Sequence, residues 1–219
     1  MSNFGIQNLR CVNPYEIAFR EARSAVGAAE VLANATEYAS LAAAVADCTL
    51  VVGTTAVGHR ELQHPLRLLE DAAPRIHSEL RRNAEEDGRV ALVFGSEKFG
   101  LSNENLSHCH WLLHIPMSEE HFSMNLGQAV AVCLYELVRG AKETPAIAAP
   151  QPATAGQLER LTAMMLQALH SSGYAHAYLA EDTEEDVRRM MLRLNVCSGD
   201  VESLLGMLRK MLWKMQTKN

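Results

Sequence analysis

The chain has 219 residues with a formal net charge of −6; 48% of them are hydrophobic and 21% charged. That is the make-up of a globular protein, long enough for one domain of about 150 residues plus a smaller second unit. No apolar run reaches the roughly 18 residues a membrane helix needs, and Met1 to Arg10 lacks the charged-then-apolar layout of a signal peptide. The five cysteines are odd in number and scattered, with no Cys-x-x-Cys pair, so the expected setting is a reducing cytoplasm without a disulfide framework.

Four short apolar runs predict buried strands: Leu9–Val12, Thr49–Val52, Val90–Phe94 and Trp111–Ile115. The two central runs are continuously apolar, as strands covered on both faces are. Helical patterns lie between them, over Tyr15–Val26, Ser40–Ala46 and Pro65–Glu85. Strands alternating with helices predict an α/β domain with a mostly parallel sheet. The clearest helix follows the last strand. Leu126, Ala129, Val130, Cys133, Leu134 and Leu137 form one stripe, and Ser123 or Asn125 stands where an N-cap belongs.

From Ala141 to Gly156 the chain turns to Ala, Pro, Thr and Gln, a linker composition. Helices are predicted beyond it over 157–172, 182–194 and 199–216, with their methionines as core or interface filler rather than a cofactor box. Although net negative charge argues weakly against a nucleic-acid partner, the charge is uneven. Residues 187–219 carry seven basic and two acidic side chains, after five carboxylates within Glu181–Asp186. Such a basic tail fits an RNA-facing surface or the solvated face of a helix pair.

Two strands end in glycine, Val51-Val-Gly53-Thr54-Thr55-Ala56 and Val93-Phe-Gly95-Ser-Glu97. In open parallel sheets ligands sit beyond the carboxyl ends of the strands, where glycine lets backbone approach them closely. The plainer alternative is that each glycine closes a βα turn. The pair, each followed by hydroxylated residues, tilts toward a nucleotide-like ligand. There is no Gly-x-Gly-x-x-Gly and no Gly-Lys-Ser/Thr, which leaves ordinary dinucleotide and P-loop sites unsupported.

The second of these strands continues as Gly95-Ser-Glu97-Lys-Phe-Gly100-Leu101-Ser102-Asn-Glu104-Asn-Leu106. After the last strand come Ile115-Pro116 and Ser123-Met124-Asn125-Leu126. Together these segments resemble motifs two and three of the SPOUT RNA 2′-O-methyltransferases, in the TrmH-like branch, over a span from about Ser2 to Val138. Gln157-Leu-Glu-Arg-Leu, Ser172-Gly-Tyr174, Asp186-Val-Arg-Arg-Met-Met-Leu-Arg193 and Leu204-Leu-Gly-Met-Leu-Arg209 more loosely resemble the helical extension of TrmJ-type members. Those methylate the ribose of tRNA nucleotide 32 in the anticodon loop. The resemblance divides the chain into a SPOUT domain (1–140), a linker (141–156) and a helical extension (157–219).

The resemblance implies a sheet whose C-terminal part is threaded into a trefoil knot, an S-adenosylmethionine cofactor, a tRNA or rRNA substrate and a homodimer that completes the active site. By position, Thr54, Thr55, Ala56, Gly95, Ile115, Ser123 and Met124 would line the cofactor. Ser123 and Asn125 would place the ribose and a neighbouring phosphate, and Glu97 would hold the knot loop or the catalytic constellation. Arg60 stands in for an arginine that relatives carry where this chain has Val57, and Arg188 and Arg189 are the expected RNA contacts of the tail. Family members align and deprotonate the 2′-hydroxyl with an arginine in an Asn-x-Gly-x-x-Ala-Arg motif, absent from these residues. The match begins just after it, which leads to the expectation of an N-terminally truncated domain missing its first strand and impaired in turnover. A knotted dimer that binds RNA or cofactor without catalysis is the alternative, and a generic nucleotide-binding α/β protein with a helical dimerisation tail is a third.

His108-Cys109-His110 with His114 has the look of a metal cluster, but these residues alternate along a strand entry and no metal is expected. Cys133 falls in the apolar stripe and reads as a buried structural thiol. His121 near Ser123 lacks a nucleophile elbow.

Overall fold

The structure is a computed structural model that describes residues 1–14, 29–56, 62–82, 89–118, 124–139, 150–174 and 180–217. After a short 3-10 turn at Ser2–Phe4, the sheet unit comprises strands β1 (Arg10–Val12), β2 (Thr36–Tyr38), β3 (Cys48–Thr54), β4 (Leu66–Leu68), β5 (Arg89–Val93) and β6 (Trp111–His114). Helices α1 (Ala29–Ala33), α2 (Leu41–Ala44), α3 (Leu69–Arg82), α4 (Asn103–Ser107) and α5 (Leu126–Arg139) alternate with them. Helices α6 (Ala155–Ser171), α7 (Ala180–Arg193) and α8 (Ser198–Gln216) form the tail.

All described pairings are parallel, in a four-stranded sheet of order β4-β6-β3-β5 and a separate β1-β2 pair. The continuous apolar run of β3 has the predicted consequence, whereas that of β5, at the sheet edge, is only half-buried. On one face Val51 and Leu112 pack with Leu41, Val45, Leu101, Leu106 and Cys109. On the other, Val52, Trp111 and Leu113 pack with Leu69, Ala72, Ile76 and Cys133. Successive side chains of β3 thus enter opposite layers, and Val51 and Val52 are both fully buried.

Two strands escape the sequence pattern. β4 occupies the start of the predicted helix 65–85, so α3 begins only at Leu69. Three residues are too few to display a period, and Leu66-Arg67-Leu68 is identified as strand only by pairing with Leu112–His114 of β6. β2 is held in the same way by β1. The predicted helix Tyr15–Val26 lies outside the described residues. In the expected stripe of α5, Cys133 and Leu134 are buried, whereas Val132, Tyr135 and Val138 on its other side are exposed.

The tail is built on α6. Thr154 and Gln157 form a reciprocal capping box, satisfying two orphan donors at the helix start. Leu158 and Leu161 of α6, Val187, Met191 and Leu192 of α7, and Val201 and Leu205 of α8 make a separate core. Part of the expected linker belongs to this unit. Ala153 is buried and donates its N–H to Val196 O at 2.9 Å, and the helix starts two residues early because Thr154 caps it. Of the tail methionines Met191 is core, while Met190, Met207 and Met211 are exposed. The unit also docks on the sheet domain, with Gly156 N–H donating to Ala46 O at 2.8 Å.

Candidate cofactor and RNA site

Parallel pairing brings three strand ends side by side. Gly53 is in register with Val93 of β5 and Leu112 of β6, and Thr54 with Leu113. The segments that follow, Thr55-Ala56, Phe94-Gly95 and His114-Ile115, therefore leave the sheet at one crest, the place where open α/β sheets bind ligands. The threonines tie this crest together. Thr54 Oγ1 donates to Val93 O at 3.0 Å and Thr55 N–H to Leu113 O at 3.0 Å, while Thr55 Oγ1 turns to Ala56 O at 3.2 Å. Their hydroxyl protons are committed to protein carbonyls, so a ligand meets backbone groups and hydroxyl lone pairs.

Both glycines stand where a side chain has no room. A Cβ on Gly53 would lie 2.8 Å from Cys109 Sγ and 2.9 Å from Leu112 Cδ2, and a Cβ on Gly95 would sit inside the backbone of Gly100 and Leu101. Both close approaches are to the protein's own chain. Gly95 lets the segment fold back on itself, where Gly100 N–H donates to Ser96 O at 2.8 Å and Gly100 adopts φ 68°. The loop then enters α4, where Ser102 Oγ accepts from Asn105 N–H at 3.1 Å.

Glu97 is at the exposed tip of this turn, beside Lys98, whose ammonium lies over the Phe99 ring. Asn125 caps α5, its Oδ1 accepting from Gly127 N–H at 2.9 Å, with Met124 half-buried before it. Ile115 is half-buried and Ala56 exposed at the crest. Ser123 and Arg60 lie outside the described residues. The crest residues fit a sulfonium nucleoside by their chemistry. Ala56 and Ile115 are uncharged and apolar, and neither would repel a cationic sulfur.

Arg188 and Arg189 are not free RNA contacts. Both are buried, at 7% and 8% exposure. Arg188 donates to Glu159, to Glu184 and, at 3.1 Å, to Ser107 Oγ on α4; Arg189 pairs with Glu185 at 3.2 Å and Asp186 at 2.7 Å. A guanidinium removed from water requires carboxylate partners, and here the acidic start of α7 supplies most of them. Burial works against charge on Arg188, yet Glu159 and Glu184 hold its pKa above the ordinary value.

His110 and Cys109 serve the core. His110 Nδ1 accepts from Val51 N–H at 3.1 Å while the His110 backbone N–H donates to Val51 O at 2.8 Å, extending the β3–β6 ladder with a ring nitrogen. Burial lowers its pKa to about 4. Cys109 is fully buried with its thiol pushed up to about 12, and burial raises that of Cys133 to about 11. Burial also lowers the pKa of His108, with Arg188 adding to the effect.

A parallel α/β sheet with a glycine-turn crest and a capped helix after its last strand places the chain in the methyltransferase class once its relatives are considered. The profile described as the SpoU rRNA methylase family matches residues 1–135. The tRNA (cytidine/uridine-2′-O-)-methyltransferase TrmJ of Yersinia enterocolitica is 34% identical over 217 residues, 95% of this chain and 82% of that protein. The enzyme of the same name from Photorhabdus laumondii is 39% identical over 138 residues, covering 63% of this chain and 55% of that protein. Among solved structures, TrmJ from Z. mobilis ZM4 superposes with a TM-score of 0.81 at 29% identity, covering 96% of this chain and 89% of that one. A putative methylase family protein from Neisseria gonorrhoeae gives 0.64 at 31% identity, over 75% of this chain and 84% of that one. The chain belongs to the SpoU methylase family and is TrmJ-like along nearly its whole length.

Proposed function

We propose that this chain transfers a methyl group from S-adenosylmethionine to a ribose 2′-hydroxyl of tRNA, at nucleotide 32 of the anticodon loop, acting as a homodimer with a knotted C-terminal sheet segment. The observation that carries this reading is the crest itself, where Thr55-Ala56, Gly95 and Ile115 converge from three adjacent parallel strands in a chain that is TrmJ-like from sheet to tail. S-adenosylmethionine, when bound, supplies an electrophilic methyl carbon on a sulfonium.

The protein's part is placement and proton removal. A 2′-hydroxyl is a weak nucleophile, so orientation against the methyl carbon contributes much of the rate. Ser123 and Asn125 orient the ribose and its phosphate, with Asn125 held by its cap bond to Gly127. Thr54, Thr55, Ala56, Gly95, Ile115 and Met124 form the cofactor wall, and its apolar surface excludes water from the sulfonium. Glu97 at the rim steadies the turn over the cofactor or draws the proton from the hydroxyl. Arg60 faces the RNA.

The test is transfer of labelled methyl from S-adenosylmethionine to unmodified tRNA transcripts, with the modified ribose mapped. Methylation at nucleotide 32 is the expected result. Methylation elsewhere overturns the site, and cofactor binding without transfer to any tRNA favours the non-catalytic dimer.

A further inference from the structure

A cleft of about 290 Å³ lies between the sheet domain and the tail, outside the proposed site. Its apolar lining is Leu62 and Leu106 of α4, which also pack with Leu101 at the end of the Gly95 turn. The walls are polar. Gln63 and Asn103 bring carboxamides that are exposed and can both donate and accept hydrogen bonds. Glu185 and Asp186 of α7 bring carboxylate acceptors, held in place by Arg189. His64 lies at the back with a buried Nε2 that has no hydrogen-bond partner among the described residues.

The charges of the described residues select among ligands. Arg189 faces two carboxylates, and Arg193, which also acts on His64, brings the balance among the described residues only to neutrality. Burial, then the two arginines, keep the His64 ring neutral down to about pH 4. Among the described residues a phosphate would meet no surplus cation and two carboxylates that repel it. A flat neutral ring with N–H donors along one edge would find a small apolar contact in Leu62 and Leu106 and acceptors around it. At 290 Å³ the cleft is near the lower end of small-molecule sites, roughly 300–1,000 Å³, a size for one base rather than a whole nucleotide cofactor.

We infer that this cleft receives an unpaired, amino-bearing nucleobase of the RNA substrate, other than the target nucleotide, and reads it through Gln63, Asn103 and the carboxylates of Glu185 and Asp186. Single-stranded RNA is recognised in this way, by bases splayed out and bonded along their edges. The inference rests on the RNA-methylation reading. It makes Gln63 and Asn103 specificity residues for a position other than the methylated one, with the tail helix α7 as the second wall.

The experiment is a Gln63→Ala/Asn103→Ala double variant of the full chain, which leaves the Arg189 pairs and the crest untouched. The expected outcome is a rise of about tenfold in KM for tRNA, as edge contacts to one base are worth, with kcat, S-adenosylmethionine affinity and melting temperature unchanged. An unchanged KM in an active enzyme overturns the cleft while the methylation reading stands. Should the parent chain methylate no tRNA, that reading fails, and the cleft is tested directly by the side-chain amide NMR signals of Gln63 and Asn103. Saturable shifts with cytidine or adenosine, but not with uridine or inorganic phosphate, support the base site; equal shifts with phosphate, or none, overturn it.

Discussion

Arg188 on α7 grips Glu159 on α6 through two hydrogen bonds of 2.9 Å, Nε to one carboxylate oxygen and Nη2 to the other. The planar fork matches the carboxylate, and the remaining Nη1 reaches Ser107 at the end of α4. Because α4 follows directly on the Gly95–Leu101 turn, this one side chain connects the tail core to the element that carries the candidate cofactor loop.

Replacement of Arg188 by Met is expected to cost about 2–3 kcal/mol. The usual penalty for breaking a buried pair is about 3–5 kcal/mol. Glu159 and Glu184 retain side-chain exposures of 37% and 51%, so water relieves part of the loss. Urea unfolding measures it. The salt dependence of tRNA binding separates this internal role from an RNA contact: a buried Arg188 leaves the slope of log K against log salt unchanged, whereas loss of a phosphate contact lowers it by about one.

Stability should fall as the solution is acidified from neutrality. His110 is neutral in the folded chain, with its pKa lowered from the ordinary 6.5 to about 4 by burial. The unfolded chain therefore binds a proton first. The contribution is complete above pH 6.5 and lost as pH falls toward 4, a change of about 3 kcal/mol. Denaturant unfolding between pH 7.5 and 4.5 follows the loss, and His110→Asn, which retains an acceptor for Val51 N–H, should flatten the profile by about one proton.

The two glycines of the turn should respond unequally to alanine. Gly100 has a positive φ but open space around its Cβ position, so Gly100→Ala costs about 1 kcal/mol of backbone strain. Gly95→Ala drives a methyl into the backbone of Gly100 and Leu101 and must open the turn. Its loss is expected to exceed about 3 kcal/mol, with S-adenosylmethionine binding abolished, as calorimetry on both variants would show.

Thiol labelling provides a map of the core. Cys48 and Cys109 have thiols pushed up to about 12, chiefly by burial, and Cys133 to about 11, so almost no thiolate is present at pH 8. Iodoacetamide should modify half-buried Cys11 and Cys197 at least tenfold faster than these three in the native protein, and all five at similar rates in urea. Mass spectrometry of peptides gives the order directly. Fast native labelling of Cys109 would mean that the Gly53–Leu112 contact opens readily.

Much of this architecture is legible in local pattern. The continuous apolar runs of β3, β5 and β6 locate these strands within a residue or two, and the stripe from Leu126 to Leu137 locates α5. The motif from Gly95 to Leu106 carries the resemblance to the family. β2 and β4 were not legible. Three-residue strands carry no period of their own and exist because a neighbour supplies their hydrogen bonds.

The sequence by itself determined the α/β class, the tail helices and the family, because those depend on periodicity and short-range residue order. Only the tertiary structure decided what the charged and glycine positions do. Arg188 reads as a surface cation in a basic tail until Glu159, 29 positions away, and Ser107, 81 away, are brought to it. Nor does the sequence show that Cys109 packs against Gly53, or Leu101 against Gly95, closely enough to exclude a side chain there. The energy of a charge or of a missing methyl is set by whatever surrounds it in space, and for these residues the neighbours come from distant parts of the chain.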